Sequence, residues 1–366
     1  MGSEMCIRDR EMTAEALRIF EKASLNMAWY NRLVENREVI AEQLDAMAYI
    51  MEDCAKKQKN ITEECRSNLQ DIAYRARERG IKVIDEQLWE KENGRWQLVM
   101  KVMVKDGCVT TRELTKAVAG ALNRRMIPEK DTKTLIGKGV NLYTYEEEPR
   151  FQAIYGVARM VKDGAAVSGD NFSFLEPESG KMVMCLSDGM GSGSLACKES
   201  EMVIELVEKF LEAGFDVETA ARMMNSAMVM KGQEDLFSTV DISELDLYDG
   251  TCRFYKIGAA ATFIRRNGIV ECLISTSLPV GVSYKLDMEK SEKDLYNGDF
   301  LVMVSDGVLE YLHVPNPEET MQEIIESIET NNATILAKRI LERVLLFTGG
   351  KAADDMTVLA TAIWEK

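Results

Sequence analysis

The chain is 366 residues long, 46% hydrophobic and 29% charged, a balance suited to globular folding over more than one unit. A net charge of −16 argues against a broad basic face for nucleic acid, and apolar runs such as Leu98–Met100 and Phe300–Val304 are far too short to cross a bilayer. Eight cysteines form no C-x-x-C pair, which disfavours a zinc ribbon or dithiol site and fits reduced cytoplasmic thiols. The single histidine, His313, is flanked by chain-turning residues and reads as a surface or a satisfied histidine, so a Ser-His-Asp triad or a His-rich zinc site has almost nothing to build on.

In chain order, residues 1–10 (MGSEMCIRDR) read as a leader foreign to the rest, and the natural protein is expected to extend upstream, where any membrane anchor would lie. Residues 11–80 lack proline and are rich in helix formers. Ile40, Leu44, Met47, Met51 and Cys54 make an a/d stripe, and Ile61, Cys65, Leu69 and Ile72 a similar face. Two helices broken near 56–62 are expected, either as a hairpin over a core or as a homodimer seam that transmits a signal. In 81–150, Ile81–Leu88 and Trp96–Val104 flank Asn93-Gly94 as a β-hairpin, and Thr111–Leu122 reads as a helix: a small α+β unit ending near Glu146–Pro149.

From 151 to 366 strands dominate. Thr239–Tyr248 and Thr251–Ile257 flank Asp249-Gly250, and Ala261–Arg265 and Ile269–Ser275 flank Asn267-Gly268. Such hairpins predict antiparallel sheets rather than a doubly wound parallel one. Helices are expected at about Ala196–Ala213, Val217–Met230, Pro317–Glu329 and Ala333–Phe347.

The chemistry concentrates in this last region. "MVMCLSDGMGSGS" (182–194) runs from an apolar strand into Ser187-Asp188-Gly189 and a glycine-rich loop. Alone, it reads either as a phosphate cradle or as an Asp that grips a hard metal. "FLVMVSDGVLE" (300–310) repeats the layout with Asp306. Asp170 opens a strand in "AVSGDNFSF", and Asp354-Asp355 precede the last strand in "KAADDMTVLATAIW". One Asp-Gly is usually a turn. Four acidic sites at strand ends would converge on one sandwich edge, where clustered carboxylates need a counter-charge that divalent cations supply. An all-oxygen donor set selects Mg²⁺ or Mn²⁺.

Together with "NSAM" (225–228), "FSTVDISELDLYDGTCRFYKIGAAATFIRR" (237–266) and "SLPVGV" (277–282), these motifs resemble the metal-dependent type-2C (PPM) protein Ser/Thr phosphatases, specifically their stage II sporulation protein E family. The resemblance covers 165–366 and reaches more loosely into a regulatory region before it. It implies an α+β fold: an α-β-β-α sandwich of two antiparallel sheets flanked by helices, preceded by the helical segment 11–80 and the unit 81–150. It also implies two Mn²⁺ or Mg²⁺ ions. Asp188 would bridge them, the Gly189 carbonyl would be a further ligand, Asp306 and Asp354 would complete one shell, and Asp170 would hold water on the other side. Asp355 stands where relatives often carry Asn and is expected behind the ligands. Asp188, Asp306 and Asp354 are the expected catalytic residues, because two ions would acidify a water between them and neutralise phosphoryl oxygens.

The implied substrate is a phosphorylated anti-anti-sigma factor, a STAS-domain protein whose dephosphorylation releases sporulation sigma factor F. The implied setting is a cytoplasmic chain anchored at the sporulation septum through its upstream region, with 196–230 as a switch element. No counterpart is found for the phosphate-gripping Arg and general-acid His of the animal enzymes. Arg159 and Lys162 precede the first motif and read either as substrate contacts or as solvated surface. Two alternatives stand beside this reading: an inactive phosphatase-fold scaffold, and a nucleotide binder using Gly189–Gly193. The intact acidic sites weigh against the first. The missing P-loop lysine and the hairpins weigh against the second.

Overall fold

The structure, a computed structural model, describes Ala48 and residues 58–366 apart from 92–93, 130–131, 178–179, 192, 231–236, 284 and 348. The leader and the a/d stripe from Ile40 to Cys54 lie outside the described residues, as do Asn93 and Ser192.

Residues 58–147 form one unit. Its elements are β1 (Gln58–Asn60), α1 (Arg66–Glu78), β2 (Ile81–Lys91), β3 (Trp96–Val104), β4 (Val109–Thr110), α2 (Thr111–Leu122), β5 (Met126–Pro128), β6 (Leu135–Ile136) and β7 (Asn141–Glu147). Five strands make an antiparallel sheet in the order β1-β2-β3-β7-β5. Leu69, Ile72 and Ala76 of α1 and Leu114, Ala117 and Val118 of α2 pack on Leu88, Leu98, Met100 and Tyr145 of that sheet. The unit therefore begins earlier than the sequence boundary at 81, because the apolar face of α1 is buried in the same core.

The remaining elements are β8 (Phe151–Met160), β9 (Asp170–Leu175), β10 (Lys181–Gly189), α3 (Ser194–Glu212), α4 (Val217–Met230), β11 (Ser238–Asp246), β12 (Thr251–Ile257), β13 (Thr262–Arg266), β14 (Ile269–Leu273), β15 (Glu289–Asp294), β16 (Phe300–Val304), α5 (Asp306–Glu310), α6 (Pro317–Glu326), α7 (Ala333–Phe347) and β17 (Met356–Glu365). Two antiparallel sheets, β15-β12-β11-β10-β9 and β14-β13-β16-β17-β8, face each other. Met184, Leu186, Phe254, Leu301, Met303 and Leu359 fill the space between them. The alternate residues point outward: Val183 and Cys185 pack under α3 and α4, and Val302, Val304 and Val358 under α6 and α7. Both faces of β10 and β16 are thus buried, which is why they read as unbroken apolar runs instead of alternating ones. This is the expected α-β-β-α sandwich.

The two units meet near Glu147–Phe151. Arg95, beside the β2–β3 turn, donates to Asp246 at the end of β11 (2.8 Å) and lies over the Tyr248 ring, 3.6 Å from its centroid. The Tyr248 hydroxyl donates to the Glu147 carbonyl at 2.9 Å. Gly180 is required here, since a Cβ would stand 2.1 Å from the Tyr248 ring. Among the described residues, no helix is long and apolar enough to cross a membrane.

Candidate active site

The two Ser-Asp-Gly motifs end strands of opposite sheets, and each residue has a separate task. The serines stitch. The Ser187 and Ser238 hydroxyls lie 2.8 Å apart, while Ser305 Oγ accepts the Thr357 N–H at 2.9 Å. The glycines clear space: a Cβ on Gly189 would meet the Ala196 carbonyl oxygen at 2.2 Å, and one on Gly307 the Asp355 carbonyl oxygen at 2.2 Å. The aspartates are left at the open ends, where Asp188, Asp306, Asp354 and Asp355 line one cleft of about 230 Å³.

Asp170 lies behind this cleft. It pairs directly with Asp188 across β9 and β10 and is fully buried, with neither carboxylate oxygen hydrogen-bonded. Its carboxyl is pushed up chiefly by burial; the Thr357 and Ser305 hydroxyls favour the charged form from nearby, short of bonding geometry. Asp188 is pushed up further. Burial is the main cause, followed by the neighbouring carboxyl groups of Asp306 and Asp170. Its backbone is held firmly, for Ser238 Oγ donates to the Asp188 carbonyl at 2.7 Å and Thr239 Oγ1 accepts its N–H at 3.3 Å.

Asp355 is a backbone clamp: its carboxylate accepts the N–H groups of Lys162 (2.9 Å) and Gly169 (2.8 Å). Asp354 is half-buried in the cleft lining, with Lys162 Nζ 3.6 Å from its Oδ1. The sequence left Arg159 and Lys162 equivalent, and the structure separates them. The Arg159 guanidinium donates to the carbonyls of Asp170 and Ser168, whereas Lys162 lines the cleft. His313 is exposed at the turn after α5, with a φ of 49° and its ring against Tyr311.

The cleft also has an apolar part. Met190, Phe237 and Pro279 line the cleft together with Gly191, Ser238 and Thr239. Sequence reasoning gave these residues no role; the one available signal was that Met190, Phe237 and Pro279 all fall inside the quoted motifs. Val280 and Ser238 exchange backbone hydrogen bonds, which brings the 277–282 loop to the cleft. The helix pair touches both parts. Ser200 of α3 donates to the Gly169 carbonyl, and buried Asn225 of α4 clasps the loop by accepting from Gly281 N (3.0 Å) and donating to Ser283 O (2.9 Å).

Two stacked antiparallel sheets, outer helices and an acid-lined cleft at the strand ends define a phosphatase domain of the PP2C type. The family model described as "Stage II sporulation protein E (SpoIIE)" matches residues 178–363, and the chain belongs to that family. It is 28% identical over 333 residues to stage II sporulation protein E of Bacillus subtilis (strain 168), spanning 91% of this chain but 40% of that protein's length. The solved structure of the PP2C phosphatase domain and a regulatory-domain fragment of SpoIIE from Bacillus subtilis superposes with a TM-score of 0.65 at 27% identity, covering 90% of this chain and 96% of that one. A shorter likeness, 35% identical over 86 residues, links 24% of this chain to 41% of the phosphoserine phosphatase RsbX of Bacillus subtilis (strain 168).

Proposed function

We propose that residues 151–366 hydrolyse phosphoserine in a protein substrate with divalent metal ions, Mn²⁺ or Mg²⁺, held at the acid-lined cleft. The observation that carries this is an excess of carboxylate over cation. Asp170, Asp188, Asp306 and Asp354 gather at the ends of four strands, Asp170 has two orphaned oxygens, and one ammonium, that of Lys162, lines the cleft among the described residues. Burying carboxylates in this way is unfavourable without added positive charge. An all-oxygen set fits hard divalent ions. Among the described residues, no three acidic, cysteine or histidine side chains already form a finished ion shell, so the carboxylates would have to draw together.

When bound, two such ions would supply Lewis acidity and charge neutralisation at the phosphoryl group. Asp188 would be shared between them, Asp306, Asp354 and the Gly189 carbonyl would add ligands, and Asp170 would act from the buried side. Asp355 would stand behind, fixing the 162–169 loop. The apolar wall of Met190, Phe237 and Pro279 gives a protein chain a surface beside its phosphoserine. Family membership supports the finer reading: the substrate is a phosphorylated STAS-domain anti-anti-sigma factor, whose dephosphorylation activates sporulation sigma factor F. The parts before 151 would regulate this activity, with α3 and α4 as the element that moves against the cleft.

Titration calorimetry of the full chain with Mn²⁺ tests the site. Binding that Asp188→Asn abolishes supports it; equal binding by both proteins contradicts it.

A further inference from the structure

We propose that Lys162 is the phosphoryl-binding cation of this cleft; the inference rests on the phosphatase reading above and names a substrate contact within it. A phosphate monoester entering a ring of carboxylates needs positive charge beyond what offsets the acids themselves. Among the described residues lining the cleft, Lys162 alone provides it. Arg159, the other basic residue before the first motif, has its guanidinium committed to backbone carbonyls.

The placement of Lys162 is built by its surroundings. Its N–H is held by Asp355 (2.9 Å), its carbonyl accepts Ala165 N (2.9 Å), and Asp163 N donates to Ala352 O at 2.7 Å. The turn that carries the side chain is therefore tied to the strand-entry segment of β17. The ammonium is 3.6 Å from Asp354 Oδ1, an ion-pair distance longer than a good hydrogen bond, and the side chain is 37% exposed. An ammonium has three donors, so a neighbouring carboxylate leaves donors for phosphoryl oxygens. Lysine binds phosphate as a compact point charge, without the planar fork of arginine.

The same geometry fixes opposite signs for two ligands. Lys162 draws on Asp354, so removing it should not weaken a divalent ion at that carboxylate and should weaken phosphate. The test compares wild type, Lys162→Met and Lys162→Arg as full chains. Three readouts apply: Mn²⁺ titration calorimetry, inhibition by inorganic phosphate, and kinetics on a phosphorylated STAS-domain protein. For Lys162→Met the expected result is phosphate inhibition weakened about tenfold or more. KM should rise by a similar factor, kcat should fall less, and Mn²⁺ affinity should be equal or tighter. Lys162→Arg should recover most of the phosphate affinity. Phosphate inhibition within about twofold of wild type overturns the proposal. So does a parallel loss of Mn²⁺ binding, which would make Lys162 a prop for the acids. Wild type that binds no Mn²⁺ would instead overturn the metal-phosphatase reading, and this inference with it.

Discussion

Asp188 stands directly opposite Asp170 in the β9–β10 register, so two carboxylates occupy facing positions on adjacent strands where like charges destabilise a sheet. The fold tolerates this pair because its strands are held elsewhere, by Ser238 on the Asp188 carbonyl and Ser200 on the Gly169 carbonyl. Under the proposed function, the pair is a site that gives up stability to receive cations.

That cost has a pH signature. The folded pKa of Asp188 is raised above its ordinary value of 3.8, so the folded state holds this proton more tightly than the unfolded chain does. The penalty is absent below the ordinary value and grows as pH rises toward the folded one. In chelator, Asp188→Asn should therefore raise the melting temperature by several degrees at about pH 8, with a smaller gain at about pH 5. Thermal unfolding at both pH values checks this; a lower melting temperature for the variant at the higher pH contradicts it.

Gly189→Ala would set a methyl group 2.2 Å from the Ala196 carbonyl oxygen, which is main chain and cannot swing away. The first turn of α3 would have to shift, at a cost of about 1–3 kcal/mol. Because α3 also carries Ser200 and Cys197, which bond Gly169 and Asn171, metal affinity should fall along with stability. Denaturant unfolding and Mn²⁺ titration measure the two together; loss of neither would count against the tight approach of α3 to the motif.

Asn225→Ala removes the clasp between α4 and the 277–282 loop and strands the Gly281 N–H and the Ser283 carbonyl. A loss of about 1–3 kcal/mol is expected. Hydrogen exchange should quicken at residues 280–283 more than in the distal strands β13 and β14. Uniform quickening would show that the loop is not held from α4.

Arg95→Ala cuts the contact from the small unit to Asp246 and Tyr248, both partners of the ion pair being mostly buried (side-chain exposure 17% and 15%). The loss should be about 1–3 kcal/mol, felt at the joint between units. Calorimetry should show the unfolding transition broadening or splitting; an unchanged sharp transition would mean that the joint relies on Glu147–Phe151 alone.

Much of the sandwich was legible because local signals agreed with it. Asn267-Gly268 makes the expected two-residue hairpin between β13 and β14. By contrast, β11 ends at Asp246 and joins β12 through the longer loop 247–250, not through Asp249-Gly250 alone. In the small unit, Trp96–Val104 and Thr111–Leu122 match their predicted bounds. The acidic positions were legible as a pattern, since Asp188 and Asp306 both end apolar runs buried on two faces. Strand β15 was not: Glu289–Asp294 is an edge strand of charged and polar residues, with no apolar period to find. Nor were the partners of the motif serines, since Ser187 meets Ser238, 51 residues away, and Ser305 meets Thr357, 52 away. Lys162 and Arg159 looked alike in sequence, and only the turn pinned by Asp355 distinguishes the one that faces the cleft.

Phosphate release from a phosphorylated STAS-domain anti-anti-sigma factor, followed with the full chain in Mn²⁺ and in excess chelator, tests the central claim most directly. Turnover that requires the metal and disappears in Asp188→Asn is the predicted result. Equal release in chelator, or undiminished release by Asp188→Asn, would contradict it.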